Sequence, residues 1–160
     1  MEWFNRHRSL TVSVIAVVIL ALPFFIHPYI VTGGSMEPTY HEGDVLLVES
    51  FTPLFHVWRG EVLVIRNPHD HAVTDIKRIV GLPDENITLG ENSVTATDAS
   101  GHAQTFGPPV GQPGTGFFEM HLGPADYMVL GDNRSKSTDS RAFGAVQKPD
   151  IIGRVMIKLR

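Results

Sequence analysis

Ser35 lies in the segment Thr32-Gly33-Gly34-Ser35-Met36-Glu37-Pro38-Thr39, where two glycines free the backbone for a tight, exposed approach and Pro38 fixes the turn that follows. Gly-Gly-Ser is also ordinary linker composition. A serine hydroxyl becomes a nucleophile only beside a base, and histidine, lysine or an N-terminal amine can serve. The chain holds four lysines: Lys77, Lys136, Lys148 and Lys158. Lys136 sits in a polar stretch and Lys148 beside Pro149, settings where water keeps an amine charged. Lys77 and Lys158 occupy apolar, strand-like stretches, where loss of water penalises the ammonium. Lys158 falls among terminal residues, which commonly fray, so Lys77 is the better candidate base. In Val73-Thr74-Asp75-Ile76-Lys77-Arg78-Ile79-Val80, strand alternation puts Lys77 on one face with Asp75 and Ile79, and Arg78 on the other with Ile76 and Val80. The pattern leaves open which charge is buried, and a pair of charges guarding an edge strand fits it equally. Chemistry favours Lys77, because arginine does not give up its proton. A third segment, residues 131–144, is bracketed by glycines and dense in hydroxyls and carboxylates. On composition alone it is a solvated loop built from Asx and Ser/Thr turns.

Other chemistries have less to draw on. There is no cysteine, which removes thiol nucleophiles, disulfides and thiolate metal sites together. Of eight histidines only His69 and His71 sit close together, directly after the turn signal Asn67-Pro68 and without further ligands at zinc-like spacing. They read as a solvated loop, and no metal or cofactor is expected. A formal charge of −4 argues against a nucleic-acid partner.

The elements that must position these residues follow from patterning. Arg6 and Arg8 precede a run from Leu10 to Ile26 without a charge. Seventeen helical residues span about 26 Å against a ~30 Å hydrocarbon core, and extension toward Val31 would make up the difference. The positive-inside rule then gives a cytoplasmic tail at 1–8, a transmembrane anchor at 9–27 and an exported catalytic domain at 28–160. A cleaved signal peptide is the rival reading, but residues 25–31 offer no small-x-small site. Beyond the anchor, short Val- and Ile-rich stretches bounded by Gly, Pro and Asp predict strands at 44–51, 61–66, 73–80, 86–89, 93–97, 117–121, 127–130 and 151–159. Residues 101–116 read as a long Gly/Pro-rich surface loop, and no helical period of useful length follows residue 30. The fold class is mainly β: a coiled antiparallel sheet or small barrel with one N-terminal transmembrane helix.

Taken together, the segments resemble the bacterial type I signal peptidases, in that family's motif order and over nearly the whole chain. Ser35-Met36-Glu37-Pro38-Thr39 is similar to the nucleophile box, Gly43-Asp44 to the strand opening that follows, and Ile76-Lys77-Arg78-Ile79-Val80-Gly81-Leu82-Pro83 to the lysine box. Residues 131–144 resemble the last box, Gly-Asp-Asn-x-x-x-Ser-x-Asp-Ser-Arg. The resemblance implies a membrane-bound endopeptidase without cofactor that removes signal peptides from exported precursor proteins after small-x-small sequences, at the outer face of the plasma membrane. It implies Ser35 as nucleophile and Lys77 as base, with Ser137 orienting the lysine and Asp139 and Arg141 forming a structural ion pair. It also implies Met36, Val31 and Tyr29 as substrate contacts. Two departures matter. Asp84 follows Gly81-Leu82-Pro83 where glycine is usual, and Gly33 stands where some relatives carry a serine that helps bind the oxyanion. A hydroxyl placed at Gly33 is therefore expected to keep or raise turnover, provided that Gly33 does not need positive φ.

Related serine–lysine processing peptidases, of the mitochondrial inner-membrane or pilin-maturation kind, fit the same motifs. A self-cleaving repressor would need a DNA-binding module where the apolar run stands. A non-catalytic, membrane-tethered β-domain is the reading from a different class, and the presence of both Ser35 and Lys77 speaks against it.

Overall fold

The computed structural model describes residues 12, 25–51, 56–90, 93–106 and 118–160. Eleven strands lie among them: β1 (Ile26–Ile30), β2 (Val45–Glu49), β3 (Val62–Arg66), β4 (Thr74–Gly81), β5 (Asn86–Leu89), β6 (Val94–Thr97), β7 (Ala103–Phe106), β8 (Phe118–His121), β9 (Asp126–Leu130), β10 (Val146–Gln147) and β11 (Ile151–Lys158). A single turn of helix, α1 (Ser140–Phe143), stands between β9 and β10. Seven strands form one curled, half-barrel sheet in the order β1-β2-β11-β3-β4-β9-β10. The other four form a small sheet ordered β7-β6-β5-β8, and every neighbouring pair in both sheets is antiparallel.

Strand β3 shows why the site sits on a firm base. Its unbroken apolar run, Val62-Leu63-Val64-Ile65, is buried throughout, as expected of a strand covered on both faces. Leu63 and Ile65 join Ile79, Val129 and Phe143 in one core cluster, while Val62 and Val64 join Val31, Met36, Leu46, Val48 and Ile76 in another. A third cluster joins Val80, Met128 and Leu130 of the large sheet to Ile87, Leu89, Val94 and Ala96 of the small one. Strand β4 thus feeds all three clusters, through Ile76, Ile79 and Val80. At about 1.5–3 kcal/mol for each such side chain fully buried, these contacts hold β4 in place.

The eight strands expected from patterning are present, with ends shifted by a few residues. Three more were not expected. Strand β1 takes up Ile26 and His27, which the apolar run had assigned to the anchor, and rules out a helical extension toward Val31. It pairs along its whole length with β2. Pro28 disfavours a helix interior yet suits an edge strand, where a missing N–H on the open side breaks no ladder, and Ile and Tyr around it are strand formers. Strand β7 lies inside the stretch read as a loop; Ala103–Phe106 pairs with β6, its short alternation hidden by the Gly/Pro-rich residues beyond it. Strand β10 is two residues long, too short for any period to register. The expected tail at 1–8, and all of the expected anchor except residues 12 and 25–27, lie outside the described residues. No helix among those described is long and apolar enough to cross a membrane.

The turn from β4 to β5 passes through Asp84 with φ of +63°. This left-handed conformation, uncommon for a residue with a Cβ, is the one glycine adopts freely, and aspartate is among the few others that tolerate it. Asp84→Gly should therefore stabilise the chain by about 1 kcal/mol, relief of strain slightly exceeding the added unfolded-state entropy. Urea unfolding of both proteins in detergent measures this; a midpoint that falls on substitution contradicts it.

Candidate active site

The segment joining β1 to β2 is closed on itself by backbone bonds. Val31 donates to the Asp44 carbonyl, Gly43 to that of Val31 and Tyr40 to that of Met36, each at 2.9 Å. Val31 and Met36 are 2% and 1% exposed and anchor the segment in the core from below. Ser35 lies between these anchors, partly exposed. Gly33 adopts φ of +75°, a region that penalises any residue with a Cβ by roughly 1–2 kcal/mol. An added Cβ would touch nothing within 4 Å, so the constraint is the backbone conformation and not space. The condition attached to a helpful hydroxyl here, that Gly33 need not adopt positive φ, is therefore not met: any side chain at this position begins from backbone strain.

Lys77 rises from the middle of β4 opposite Leu63 of β3 and is 1% exposed. Its Nζ lies 3.2 Å from Ser35 Oγ and 3.3 Å from Asp75 Oδ1. Arg78, on the opposite face, is only half-buried, which settles the choice the alternation left open. Two of the other lysines are occupied at the surface, Lys158 on Asp44 and Lys136 on Glu37. His69 and His71 are exposed, in a turn whose backbone bonds to the Asn67 side chain.

The stretch from Gly131 to Gly144 brings the two halves together. The Asn133 N–H donates to the Ser35 carbonyl at 2.9 Å, and the Asn133 side-chain amide to Glu37 at 3.2 Å. Gly131 passes so close that an added Cβ would lie 2.5 Å from the Ser35 carbonyl oxygen and 2.3 Å from Ser137 Oγ. Asp132 accepts from Arg78 Nε at 2.8 Å, Arg78 Nη2 at 2.6 Å and Thr39 Oγ1 at 2.6 Å. One carboxylate thus links the lysine strand to the segment that carries the nucleophile. Burial pushes the Asp132 carboxyl up, but the hydrogen bonds from Arg78 and Thr39 and the Arg78 charge outweigh it and hold its pKa below the ordinary carboxylate range.

The expected ion pair is formed. Arg141 Nε and Nη2 donate to Asp139 at 2.8 and 3.0 Å, and Asp139, fully buried, also accepts from the Gly131 N–H at 3.0 Å and caps α1. Removing one partner from such a pair typically costs about 3–5 kcal/mol. Ser137 is 5% exposed, but its Oγ has no hydrogen-bond partner among the described residues. The expected Ser137–Lys77 bond is therefore not made; Asp75 takes the amine instead. Of the three expected substrate contacts, Val31 and Met36 are buried in the core and present almost no surface to a substrate. Tyr29, partly buried, places its hydroxyl 3.5 Å from the Thr74 carbonyl. Alternation had placed Asp75 on the face of Lys77, and that was the available signal for it; nothing local marked Asp132, Thr39 or Asn133 as the links between segments.

A serine hydroxyl against a buried amine is an arrangement in which the serine could serve as a nucleophile. The family profile described as signal peptidase, peptidase S26, matches residues 2–159. The chain belongs to this family. It is 31% identical to signal peptidase I U of Bacillus subtilis over 93% of this chain and 87% of that one. To signal peptidase I V of the same organism it is 33% identical, over 89% and 90%. The crystal structure of a signal peptidase I from Enterococcus faecalis superposes with a TM-score of 0.51 at 22% identity, covering 64% of this chain and 98% of that one, and so shares the fold. This chain is accordingly a serine peptidase, a hydrolase.

The link through Asp132 carries a pH dependence. A carboxyl whose folded pKa is depressed contributes stability that is fully present above its unfolded value near 3.9 and is lost as pH falls through the folded value. Asp132→Asn should remove that contribution and loosen Ser35 relative to Lys77, lowering kcat by about 10²-fold. Peptide turnover, with denaturation midpoints at pH 7 and pH 3, checks both: the stability gap between the two proteins must narrow at the lower pH.

Proposed function

We propose that this peptidase removes signal peptides from exported precursors through an acyl-enzyme formed on Ser35, with Lys77 as general base. The observation that carries the reading is the 3.2 Å approach of the Lys77 amine, 1% exposed, to the Ser35 hydroxyl. Neutral Lys77 takes the Ser35 proton as Oγ attacks the scissile carbonyl; the resulting ammonium then protonates the departing amine. A water that gives its proton to Lys77 releases the acyl group and restores the serine. The Ser35 N–H is one donor to the oxyanion. Asp132, Arg78 and Thr39 hold the two reacting side chains in register, and the Asp139–Arg141 pair fixes the stretch that buttresses them. Cleavage after small-x-small sequences is part of the same reading and rests on the motif resemblance.

The apolar run that begins at Leu10, flanked by Arg6 and Arg8, supports a single-pass anchor that ends before β1, with residues 1–8 in the cytoplasm and the folded domain from Ile26 onward outside the plasma membrane. The bilayer and the precursor's own apolar segment are then the partners that bring substrate to Ser35.

Ser35→Ala and Lys77→Ala should each lower cleavage of a small-x-small precursor by about 10⁴-fold or more with the fold intact, because members of one catalytic unit fail together. Precursor processing by the purified proteins tests this, and normal cutting by Ser35→Ala would remove the assignment. Protease added to spheroplasts should digest the domain from Ile26 onward and spare the cytoplasmic tail. A mature chain beginning after residue 26 would replace the anchor with a cleaved signal.

A further inference from the structure

Lys77 carries a feature that the dyad does not require. Its second partner is the carboxylate of Asp75, two residues earlier on the same strand face, at 3.3 Å. Among the described residues no other carboxylate lies within ion-pair range of Nζ. From β3 the amine faces Leu63, and from the nucleophile segment it meets Ser35 Oγ. The remaining charges near the site are spent on one another: Asp132 on Arg78, Asp139 on Arg141, and Glu37 on Lys136 and Asn133. Arg134 Nε donates to the Gly131 carbonyl. Asp75 itself is held from behind, its Oδ2 accepting from Asn67 Nδ2 at 2.8 Å. That bond aims Oδ1 at the amine and keeps the carboxylate from turning to solvent.

The anion at 3.3 Å stabilises the ammonium that forms when Ser35 gives up its proton, so Asp75 supports the transition state.

We infer that Asp75 is the positioning residue of the general base: its carboxylate holds the Lys77 amine against Ser35 and supplies the charge that the amine needs once it has taken the serine's proton. The inference rests on the Ser35–Lys77 reading and deepens it. Asn67 belongs to the same device, as the group that orients the carboxylate.

The test is the pH dependence of kcat on a fluorogenic small-x-small peptide, using the full-length protein in detergent. Wild type, Asp75→Asn and Asp75→Glu are compared, with Ser35→Ala and Lys77→Ala as controls. Asp75→Asn keeps the shape and removes the charge, so the acid limb should move to lower pH by about 1–3 units, the range typical of an adjacent opposite charge. Below the limb this appears as about a tenfold gain in rate for each unit moved, while the alkaline plateau stays level or falls because the base is weaker. Asp75→Glu keeps the anion and should return the limb toward its wild-type position. If Asp75→Asn fails to fold, Asp75→Ser removes the same charge and must shift the limb in the same direction. A limb that stays in place while the rate falls equally at every pH would make Asp75 merely structural and overturn the inference. In that event inactive Ser35→Ala and Lys77→Ala proteins would leave the dyad standing, whereas active ones would remove the dyad itself.

Discussion

A lysine amine shut away from water is the constraint around which this protein is organised. Placing an ammonium in such a position is costly, and it persists only if the group is neutral or well partnered. Everything near Lys77 serves one of those ends. Leu63 and the apolar side chains beyond it supply the dry side, while Ser35 and Asp75 supply polar contacts. The strand that carries the lysine is locked by core contacts in three directions, so the amine cannot escape its environment by a shift of the backbone. A loosely held strand would let the side chain reach water and drift from Ser35.

The serine is placed by different means. It sits in a turn, not in a strand, and a turn has no ladder to hold it. Its neighbours Val31 and Met36 act as plugs in the core, and the Asn133 amide and the close passage of Gly131 fix its carbonyl from above. Asp132 then ties the turn to the lysine strand with one charged group shared between Arg78 and Thr39. The dyad is therefore a meeting of two independently supported pieces, and its accuracy depends on the polar stretch that joins them.

Much of this was legible in the chain. Val- and Ile-rich runs between turn residues marked eight strands, and elimination among four lysines singled out Lys77. Strand β1 was hidden because Ile26 continues an apolar run that reads as helix until its pairing with β2 is known. The φ of Gly33 is a torsion and leaves no trace in composition, so the condition attached to a helpful hydroxyl there could be checked only against the structure. Ser137 was assigned to Lys77 by motif position, yet the carboxylate at position 75 had been on the lysine's face all along. Alternation gives the face; it does not say which partner on that face reaches the group. The bonds from Asp132 to Thr39 and from Asn133 to Glu37 span 93 and 96 residues of sequence and have no local signature.

The strand order has a further implication, for the timing of assembly. Strands β1 and β2 flank the serine, and β3 and β4 present the lysine, but β2 and β3 are not neighbours. The strand between them, β11, comes from the end of the described chain and pairs with both. During synthesis from the N-terminus, the two reacting groups have no continuous sheet to align them until that last segment emerges. Contacts of such long sequence separation form slowly, because closure entropy must be met before they stabilise anything. The topology thus acts as a delay: both reactive groups are made well before β11, and the sheet that aligns them is continuous only once β11 has been added.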